Sequence, residues 1–447
     1  MSTRKYAMSG LNMTDEARIQ YFLENMAKNK AFHHPDPESD EGKAEVDALR
    51  VRYRRYRTGW RGIPDEAIKR ELVHDFVSVM GVPPSSVDIE VAAVCDLACP
   101  FCYRQYIATP DKIMSDALCY DIIDQAAELR VPSIKLNWRG EPLLHPRLAE
   151  FVAYAKRKGV LEVSINTNAV TLTPEKSRAL IDAGLDVMIF SFDGGTAETY
   201  EKMRVGRFKN NEFEHVYENI VTFAKIRSEL GAAFPLTRVQ MILIGEAYNE
   251  TQEFYRLFDG VIDDIMVKAY SERGGKFEEL TPEDREKVQR HFTHHEVTAE
   301  LNMSTLEFWK DAEGNIFYAT GRLPCQQIYQ RLMVSYDGSV HMCCYDWAAE
   351  HPVGYVSAMA YENGMQDYAA VVDSAKRGAK GFKLLSNVVM PHRYMLPEEK
   401  TQTLAEIWDG VLLNTVREAH VGGRIDEVPI CRKCPLKETY NWQKVAC

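Results

Sequence analysis

Three closely spaced cysteines are the residues of this chain whose type and spacing indicate chemistry. Cys95, Cys99 and Cys102 lie in the stretch CDLACPFC, directly after the apolar run from Val87 to Val94. Soft thiolates on one short loop suit a [4Fe-4S] cluster, and three local ligands leave one of its four irons open to another molecule. The alternative is a zinc site, although structural zinc takes four protein ligands and the loop has no fourth Cys or His nearby. The spacing therefore predicts an iron-sulfur centre with an open iron.

A second motif, NWRGEPLLHP, runs from Asn137 to Pro146 and follows the second predicted strand. Gly140 lets the backbone approach a ligand closely, and the adjacent carboxylate of Glu141 can accept hydrogen bonds from an ammonium group. A Gly-Glu-Pro tripeptide is also an ordinary turn. Its position at the carboxyl end of a strand favours a binding site.

Polar clusters also follow the third and fourth predicted strands. Asn168 closes the cluster NTN, and Ser191 opens the cluster SFDG. Hydroxyl and amide groups at strand ends can contact a ribose, whereas the same residue types also form the backbone hydrogen bonds of turns. The residues themselves leave both interpretations open.

These motifs together resemble those of the radical S-adenosylmethionine (SAM) enzymes over about residues 87 to 270. In that family the amino and carboxylate groups of SAM chelate the open iron. The resemblance implies that Arg204 pairs with the SAM carboxylate, as a planar guanidinium does well, and that Phe101 packs against adenine. It also implies reductive cleavage of SAM to methionine and a 5′-deoxyadenosyl radical, which takes a hydrogen atom from the substrate. The implied SAM contacts are Phe101, Gly140, Glu141, Asn168, Ser191 and Arg204.

The region after residue 300 contains further cysteines, and Cys343 follows a predicted hairpin turn at Asp337-Gly338. The pattern resembles the SPASM/twitch extension of radical SAM enzymes, which holds auxiliary [4Fe-4S] clusters. A two-cluster SPASM domain uses seven or eight cysteines, whereas six cysteines follow residue 300 here. The resemblance therefore implies one auxiliary cluster. With the cluster of Cys95, Cys99 and Cys102, the chain would hold two [4Fe-4S] clusters. A zinc ribbon with the same ligands is the alternative. The implied ligands are Cys325, Cys343, Cys431 and Cys434, which leaves Cys344 and Cys447 without an assigned role.

Hydrophobic patterning predicts how these motifs are positioned. Six β-branched runs alternate with amphipathic segments, which predicts βα units, a parallel sheet and catalytic groups at the carboxyl ends of the strands. With the resemblance, the expected fold is an α/β partial (β/α)6 TIM-type barrel. The expected domains are a helical N-terminal extension (1–86), a radical SAM core (87–300) and a SPASM/twitch domain (301–447). The runs are Val87–Val94, Ser133–Trp138, Leu161–Asn166, Val187–Phe192, Val239–Ile244 and Ile262–Val267.

Composition excludes several classes of protein. The 447 residues carry a net charge of −11, which argues against general nucleic-acid binding. The N-terminus lacks the apolar core of a signal peptide, and no apolar run approaches the length of a membrane span. The sequence therefore predicts a cytoplasmic protein whose thiols bind metal.

The sequence indicates the substrate and the net reaction less sharply than it indicates the cofactors. The first hypothesis is oxidation (dehydrogenation) of a small polyol, sugar or sugar-phosphate-like metabolite, with the auxiliary cluster as electron acceptor, Asp346 as base and flavodoxin or ferredoxin as electron donor. An arginine-rich stretch, RVRYRRYRTGWR, suits an anionic substrate or is a solvated helix face. The second hypothesis is radical modification of a ribosomal peptide or protein side chain, which the lack of a strand pattern in residues 1–86 disfavours. The third is a non-catalytic metal-binding protein.

Overall fold

The computed structural model describes residues 13–29, 39–105, 107, 109–207, 211–243, 245–269, 308–310, 316–364, 401–432, 434, 436 and 439–444. Cys447 lies outside the described residues. The chain divides into two compact units. The first unit comprises residues 1–57, 95–102 and 141–270, and the second unit comprises residues 58–94, 103–140 and 271–447.

Helices and strands alternate through most of the described chain. The helices are α1 (Asp15–Asn25), α2 (Asp40–Lys69), α3 (Phe76–Met80), α4 (Asp116–Glu128), α5 (Leu148–Arg157), α6 (Pro174–Asp182), α7 (Ala197–Met203), α8 (Phe213–Glu229), α9 (Thr251–Phe258), α10 (Leu404–Trp408), α11 (Val411–Val421) and α12 (Pro429–Arg432). The strands are β1 (Ser86–Ile89), β2 (Ser133–Lys135), β3 (Glu162–Thr167), β4 (Val187–Ser191), β5 (Leu236–Leu243), β6 (Asp264–Ala269), β7 (Phe308–Lys310), β8 (Ile316–Arg322), β9 (Arg331–Val334), β10 (Ser339–His341), β11 (Pro352–Tyr355) and β12 (Tyr440–Lys444).

The first unit contains four parallel strands in the order β3-β4-β5-β6, with helices between successive strands. Along β4, fully buried side chains such as Met188 and Phe190 alternate with half-buried ones on the opposite face. In a parallel sheet, other elements cover both faces of each strand. In the sheet of the first unit, the half-buried face is the one that carries polar groups. Helix starts follow local sequence: Thr173 caps α6 by accepting a hydrogen bond from the Lys176 amide, and Pro174 occupies its first turn.

The second unit contains the strands β11-β10-β9-β1-β2, in which β1 is parallel to both β2 and β9. The predicted hairpin turn is confirmed, because β9 and β10 pair antiparallel around it and Gly338 has φ +96°. A separate antiparallel sheet has the order β12-β8-β7. The pairing of β9 with β1 joins segments about 240 residues apart in sequence, which local patterning does not reveal.

The α/β class with a parallel sheet is confirmed, and the six predicted runs each contain one of the strands β1 to β6 or overlap it. In the N-terminal region expected to be helical, α2 is a single helix of 30 residues. In residues 13–29 and 39–85 the structure has helices α1, α2 and α3, in agreement with a helical N-terminal region. The domain boundaries stay predictions. Within the described ranges, none of the helices combines the length and apolar character that crossing a membrane requires.

Candidate functional site

The cysteine loop, residues 95–102, belongs to the first unit and is held by the segment that follows α7. The backbone amide of Ala98 donates to the Val205 carbonyl at 2.7 Å. The amide of Arg207 donates to the Asp96 carbonyl at 2.8 Å, and the Arg207 guanidinium donates to the Cys95 carbonyl at 2.9 Å. These hydrogen bonds fix the loop backbone, so the cysteine positions are set before any ligand binds.

The three cysteines of this loop are not joined in disulfides in the described structure. Cys99 is buried, whereas Cys95 and Cys102 are half-buried. Burial raises the pKa of Cys99 to about 12, and burial with the charge of Glu141 raises the pKa of Cys95 well above its usual value. Since metals bind the thiolate form, a cationic centre is needed to hold three neighbouring thiolates here. The donor set therefore fits the predicted [4Fe-4S] cluster.

The carboxylate of Glu141 lies at the carboxyl end of β3 and is 2% exposed. It accepts hydrogen bonds from the Leu143 amide (3.0 Å), the Thr167 hydroxyl (2.7 Å) and the Asn168 amide (2.8 Å). Burial, followed by the nearby charge of Asp96, raises the pKa of Glu141 to about 7 despite these donors. An arriving cation would favour the ionised carboxylate, which is the form that holds an ammonium group.

Asp96, inside the cysteine loop, is a site residue that the sequence reasoning missed. The side-chain amide of Asn168 donates to Asp96 Oδ1 at 2.6 Å while its backbone amide contacts Glu141, so Asn168 bridges two buried carboxylates. Asp96 Oδ2 is buried and has no hydrogen-bond partner among the residues described. The sequence did contain a signal for Asp96, because its carboxylate lies between two predicted cluster ligands.

Arg204 ends α7 and forms a buried ion pair with Asp193 Oδ2 at 2.5 Å. Its guanidinium lies 5.8 Å from the centre of the Phe101 ring. Burial opposes the charge, but Asp193 and Cys99 outweigh it and hold the pKa of Arg204 above its ordinary value. Nε of Arg204 is buried without a hydrogen-bond partner in the described part of the chain. The structure therefore brings two predicted SAM contacts together and adds Asp193.

The unsatisfied groups of the first unit match the amino acid end of SAM. SAM carries an ammonium and a carboxylate there. Asp96 Oδ2 offers an acceptor beside Glu141, and Arg204 Nε offers a donor. Buried polar atoms normally have partners, so these two atoms mark places where a zwitterionic ligand fits. The residues present accordingly fit both the cluster and SAM.

Gly140 belongs to the second unit, where its conformation is dictated by backbone packing. A Cβ at this position would lie 2.2 Å from the Ala92 carbonyl oxygen and 2.5 Å from that of Val94. Only glycine avoids this overlap, and the close approach is to the chain that leads into the cysteine loop. Its contact with SAM stays a prediction.

Ser191, the last residue of β4, belongs to a row of polar side chains on the half-buried face of the first unit's sheet. The side-chain amide Nε2 of Gln240 on β5 donates to the Ser191 hydroxyl at 3.3 Å, and Lys268 on β6 donates to Gln240 Oε1 at 2.8 Å. We call Ser191, Gln240 and Lys268 the polar row. It offers hydroxyl, amide and ammonium groups to a hydroxyl-rich or anionic ligand.

The predicted auxiliary cysteines meet in the second unit. One cavity in this unit is lined by residues from the segment before β9, the end of β10 and the region of α12. Cys344 does not line this cavity, and its carbonyl accepts a hydrogen bond from the Trp138 indole at 3.3 Å. Within the described ranges, no three or more His, Cys, Asp or Glu side chains gather as they would around a single metal ion. The cysteines lining this four-cysteine cavity are Cys325, Cys343, Cys431 and Cys434.

His420 and Arg322 are among the other residues that line the four-cysteine cavity, and neither was predicted from the sequence. The amide of Cys325 donates to His420 Nδ1 at 3.0 Å, and His420 Nε2 lies 3.3 Å from Cys431 Sγ. Burial, with the charge of Arg322, lowers the pKa of His420 to about 4, so the imidazole is neutral. Burial raises the pKa of Cys325 to about 12. His420 lies on α11, 11 residues before Cys431, and this separation is not a metal-ligand spacing that would mark it in the sequence.

Asp346 is buried, and its carboxylate is occupied by donors of its own loop. His341 Nδ1 lies 2.8 Å from Oδ2, and the amides of Glu350 and His351 donate at 3.1 and 2.9 Å. Burial opposes ionisation, but the charge of His351 and the hydrogen bond from His341 hold the pKa of Asp346 below its ordinary value. These contacts favour a role in fixing the loop after Cys343. The role of Asp346 as a base stays a prediction.

The arginine-rich stretch lies on α2, where its members have different surroundings. Arg57 is half-buried and lies 3.8 Å from the buried carboxylate of Glu162, which also accepts a hydrogen bond from Tyr53 at 2.8 Å. Arg52 and Arg61 are exposed. This mixture, with the ion pairs of Arg57 with Glu162 and of Arg50 with Asp47, favours a solvated helix face over an anion-binding site.

Comparison with known proteins identifies part of the chain. Residues 89–258 match the sequence model of the Radical SAM superfamily. A tungsten-containing aldehyde ferredoxin oxidoreductase cofactor-modifying protein of Pyrococcus furiosus is 28% identical over 183 residues, 40% of this chain and 49% of the relative. A probable GTP 3′,8-cyclase of Methanothermobacter marburgensis is 37% identical over 118 residues, 26% of this chain and 38% of the relative. The chain thus spans about half or less of these curated relatives.

Solved structures with a similar chain trace include BtrN in complex with AdoMet and 2-DOIA. It has a TM-score of 0.42 and 15% identity, and the match covers 81% of this chain and 99% of that one. Streptococcus suis SuiB bound to the precursor peptide SuiA has a TM-score of 0.43 and 13% identity, with 75% and 77% covered. The superfamily match implies a [4Fe-4S] cluster and SAM as cofactors. Residues 89–258 of this chain are thus similar to the Radical SAM superfamily, in a match that covers less than half of the chain.

Proposed function

We propose that this protein is a radical SAM oxidoreductase that removes a hydrogen atom from a small polyol, sugar or sugar-phosphate-like substrate. The observation that carries the proposal is the geometry of the first unit, where three cysteines share one loop with Asp96 and Asn168 links Asp96 to the buried Glu141. When bound, the reduced cluster supplies one electron that cleaves SAM, and the resulting 5′-deoxyadenosyl radical abstracts the hydrogen atom.

The residues of the chain bind and orient SAM for this reaction. Cys95, Cys99 and Cys102 hold the cluster, and the buried carboxylate of Glu141 holds the SAM ammonium. Arg204, fixed by Asp193, presents its unsatisfied Nε–H to the SAM carboxylate. The donors and the acceptor are in place in the folded chain, so little reorganisation is needed when SAM binds.

The net reaction proposed is a two-electron oxidation of the substrate. Hydrogen-atom abstraction removes one electron and one proton from a substrate C–H bond, and 5′-deoxyadenosine carries them away. Cys325, Cys343, Cys431 and Cys434 would hold an auxiliary [4Fe-4S] cluster that would supply an acceptor for the second electron of the substrate, and a base, for which Asp346 is the proposed residue, would take the proton. The four-cysteine cavity supports this cluster. A low-potential donor such as flavodoxin or ferredoxin resupplies one electron to the first cluster in each cycle.

A polar small molecule is the proposed substrate class. The polar row supports it, because a hydroxyl-rich ligand finds a hydroxyl and an amide there and an anionic group finds the ammonium of Lys268. The structure of residues 13–29 and 39–85 also supports a small-molecule substrate. These residues form helices, whereas a peptide-binding extension was expected to contain strands.

Anaerobic reconstitution tests the proposal. Wild-type protein is expected to bind about eight iron atoms and to form 5′-deoxyadenosine from SAM with dithionite. Changing Cys95, Cys99 and Cys102 together to Ala should halve the iron and abolish 5′-deoxyadenosine. Cys119→Ala is the matched control, because Cys119 is a fully buried thiol on α4 and belongs to neither predicted ligand set. Formation of 5′-deoxyadenosine by the triple variant would refute the assignment.

Isotope transfer tests the substrate class. Deuterated polyols, sugars and sugar phosphates are incubated with SAM and reductant, and 5′-deoxyadenosine is analysed by mass spectrometry. Deuterium in this product identifies the molecule that donates the hydrogen atom. Transfer from deuterated peptides, with none from the small molecules, would replace the proposed substrate class by a peptide.

A further inference from the structure

We infer that His420 and Arg322 raise the reduction potential of the auxiliary cluster and so fit it to accept an electron. The inference rests on the proposed function, because it requires a [4Fe-4S] cluster in the four-cysteine cavity. Both side chains line that cavity. His420 places Nε2 beside the Cys431 sulfur and Arg322 brings a cationic side chain to the cavity wall, so the two act through different interactions.

His420 acts through a hydrogen bond whose direction the structure determines. Its Nδ1 accepts a hydrogen bond from the Cys325 amide at 3.0 Å, so Nδ1 carries a lone pair and the ring proton is on Nε2. Nε2 lies 3.3 Å from Cys431 Sγ and therefore donates to that sulfur. The ring is 1% exposed and is held between the segments of two proposed ligands. Water does not compete for this donor.

Arg322 acts through its charge. Its guanidinium stacks on the Tyr440 ring, 4.0 Å from the ring centre, and donates to the Tyr440 hydroxyl. That hydroxyl donates in turn to the Cys434 carbonyl at 3.0 Å. Nε of Arg322 is buried and has no hydrogen-bond partner among the residues described. The structure thus holds a cation with an unsatisfied donor at the wall of the cavity.

Both effects favour the reduced cluster. When the substrate radical loses its electron to the cluster and its proton to a base, the cluster and its thiolates gain one unit of negative charge. An N–H donor to a ligand sulfur and a nearby cation stabilise that charge, more strongly in buried surroundings than in water. Asp346 is a negative group that acts on Cys431 in the opposite sense. A cluster with only a structural role has no need of either positive contact.

The test measures the midpoint potential of the auxiliary cluster by EPR-monitored redox titration. The background is the Cys95→Ala, Cys99→Ala and Cys102→Ala variant of the full chain, in which one cluster remains. H420L removes the donor, H420Q keeps an N–H group, and R322M keeps an unbranched chain over Tyr440 without the charge. R424M is the matched control, because Arg424 is an exposed arginine of the same unit that pairs with Glu418 and Glu427.

The expected result is a lower midpoint potential in H420L and R322M, a smaller decrease in H420Q, and no change in R424M, each with about four iron atoms retained. H420L and R322M variants with full iron and an unchanged potential would overturn this inference and leave the proposed function intact. Zinc in place of iron in the unaltered cavity would overturn the inference together with the auxiliary cluster. If H420L loses iron, a lowered potential in R322M supports the inference, and unchanged potentials in both R322M and H420Q overturn it.

Discussion

Replacing Glu141 by Gln is expected to weaken SAM binding without loss of iron. Gln keeps the shape of the side chain and can still accept hydrogen bonds, but it removes the charge opposite the SAM ammonium. A hydrogen bond to a charged group contributes roughly 1.5–3 kcal/mol, which corresponds to about a tenfold to hundredfold weaker affinity. Glu141 is 2% exposed, so solvent screens this interaction little.

The pKa of Glu141 predicts a pH dependence as well. Burial raises this pKa to about 7, so the fraction of ionised carboxylate rises from about 0.09 at pH 6 to about 0.5 at pH 7. SAM binds the ionised form, and its own ammonium, with an ordinary pKa of roughly 8, stays mostly charged over this range. Affinity for SAM should therefore increase about fivefold from pH 6 to pH 7 in wild-type protein. The same rise should be absent from E141Q.

Anaerobic calorimetric titration of SAM into the reconstituted protein, without reductant, measures both effects. E162Q is the matched control: Glu162 is a buried carboxylate at the opposite end of β3, where it accepts hydrogen bonds from Tyr53 and Tyr56. That variant should keep wild-type affinity and the wild-type pH dependence. Equal SAM affinity in E141Q and wild-type protein, or the same rise from pH 6 to pH 7 in both, would refute the placement of the ammonium at Glu141.

Two further predictions concern the second unit. Cys431→Ala combined with Cys434→Ala should leave 5′-deoxyadenosine formation with dithionite intact but abolish oxidised product, because the electron acceptor is lost; a folded double variant that forms this product at the normal rate would contradict the acceptor role. Gly140→Ala should lower the free energy of unfolding by about 1–3 kcal/mol, since its Cβ would lie 2.2 Å from the Ala92 carbonyl oxygen. Gly62→Ala on α2, with nothing within 4 Å, should instead stabilise by roughly 0.5–1 kcal/mol in the same urea titration, and equal stabilities of the two variants would contradict the overlap.

Local sequence determined much of this protein's organisation. The βα alternation, the hairpin turn at Gly338 and the cysteine loop were all predictable, because strand and helix periodicity, turn chemistry and metal-ligand spacing act within a few residues to a few turns. Glu141 was predictable too, since a parallel sheet brings the carboxyl ends of its strands to one edge. These features depend on contacts near in sequence or on a rule of topology.

Only the tertiary structure decided which distant side chains complete each site. Asn168 links Glu141 to Asp96, Asp193 fixes Arg204, and His420 contacts Cys431, in each case across separate segments of the chain. Asp346 illustrates the same limit, because its position beside Cys343 suggested a base, but its contacts with His341 and His351 could not be predicted from that position. Orientation, burial and hydrogen-bond partners depend on packing between elements, and packing has no fixed spacing in sequence. The sequence by itself therefore determined which chemical groups are available, and the tertiary structure decided which of them meet.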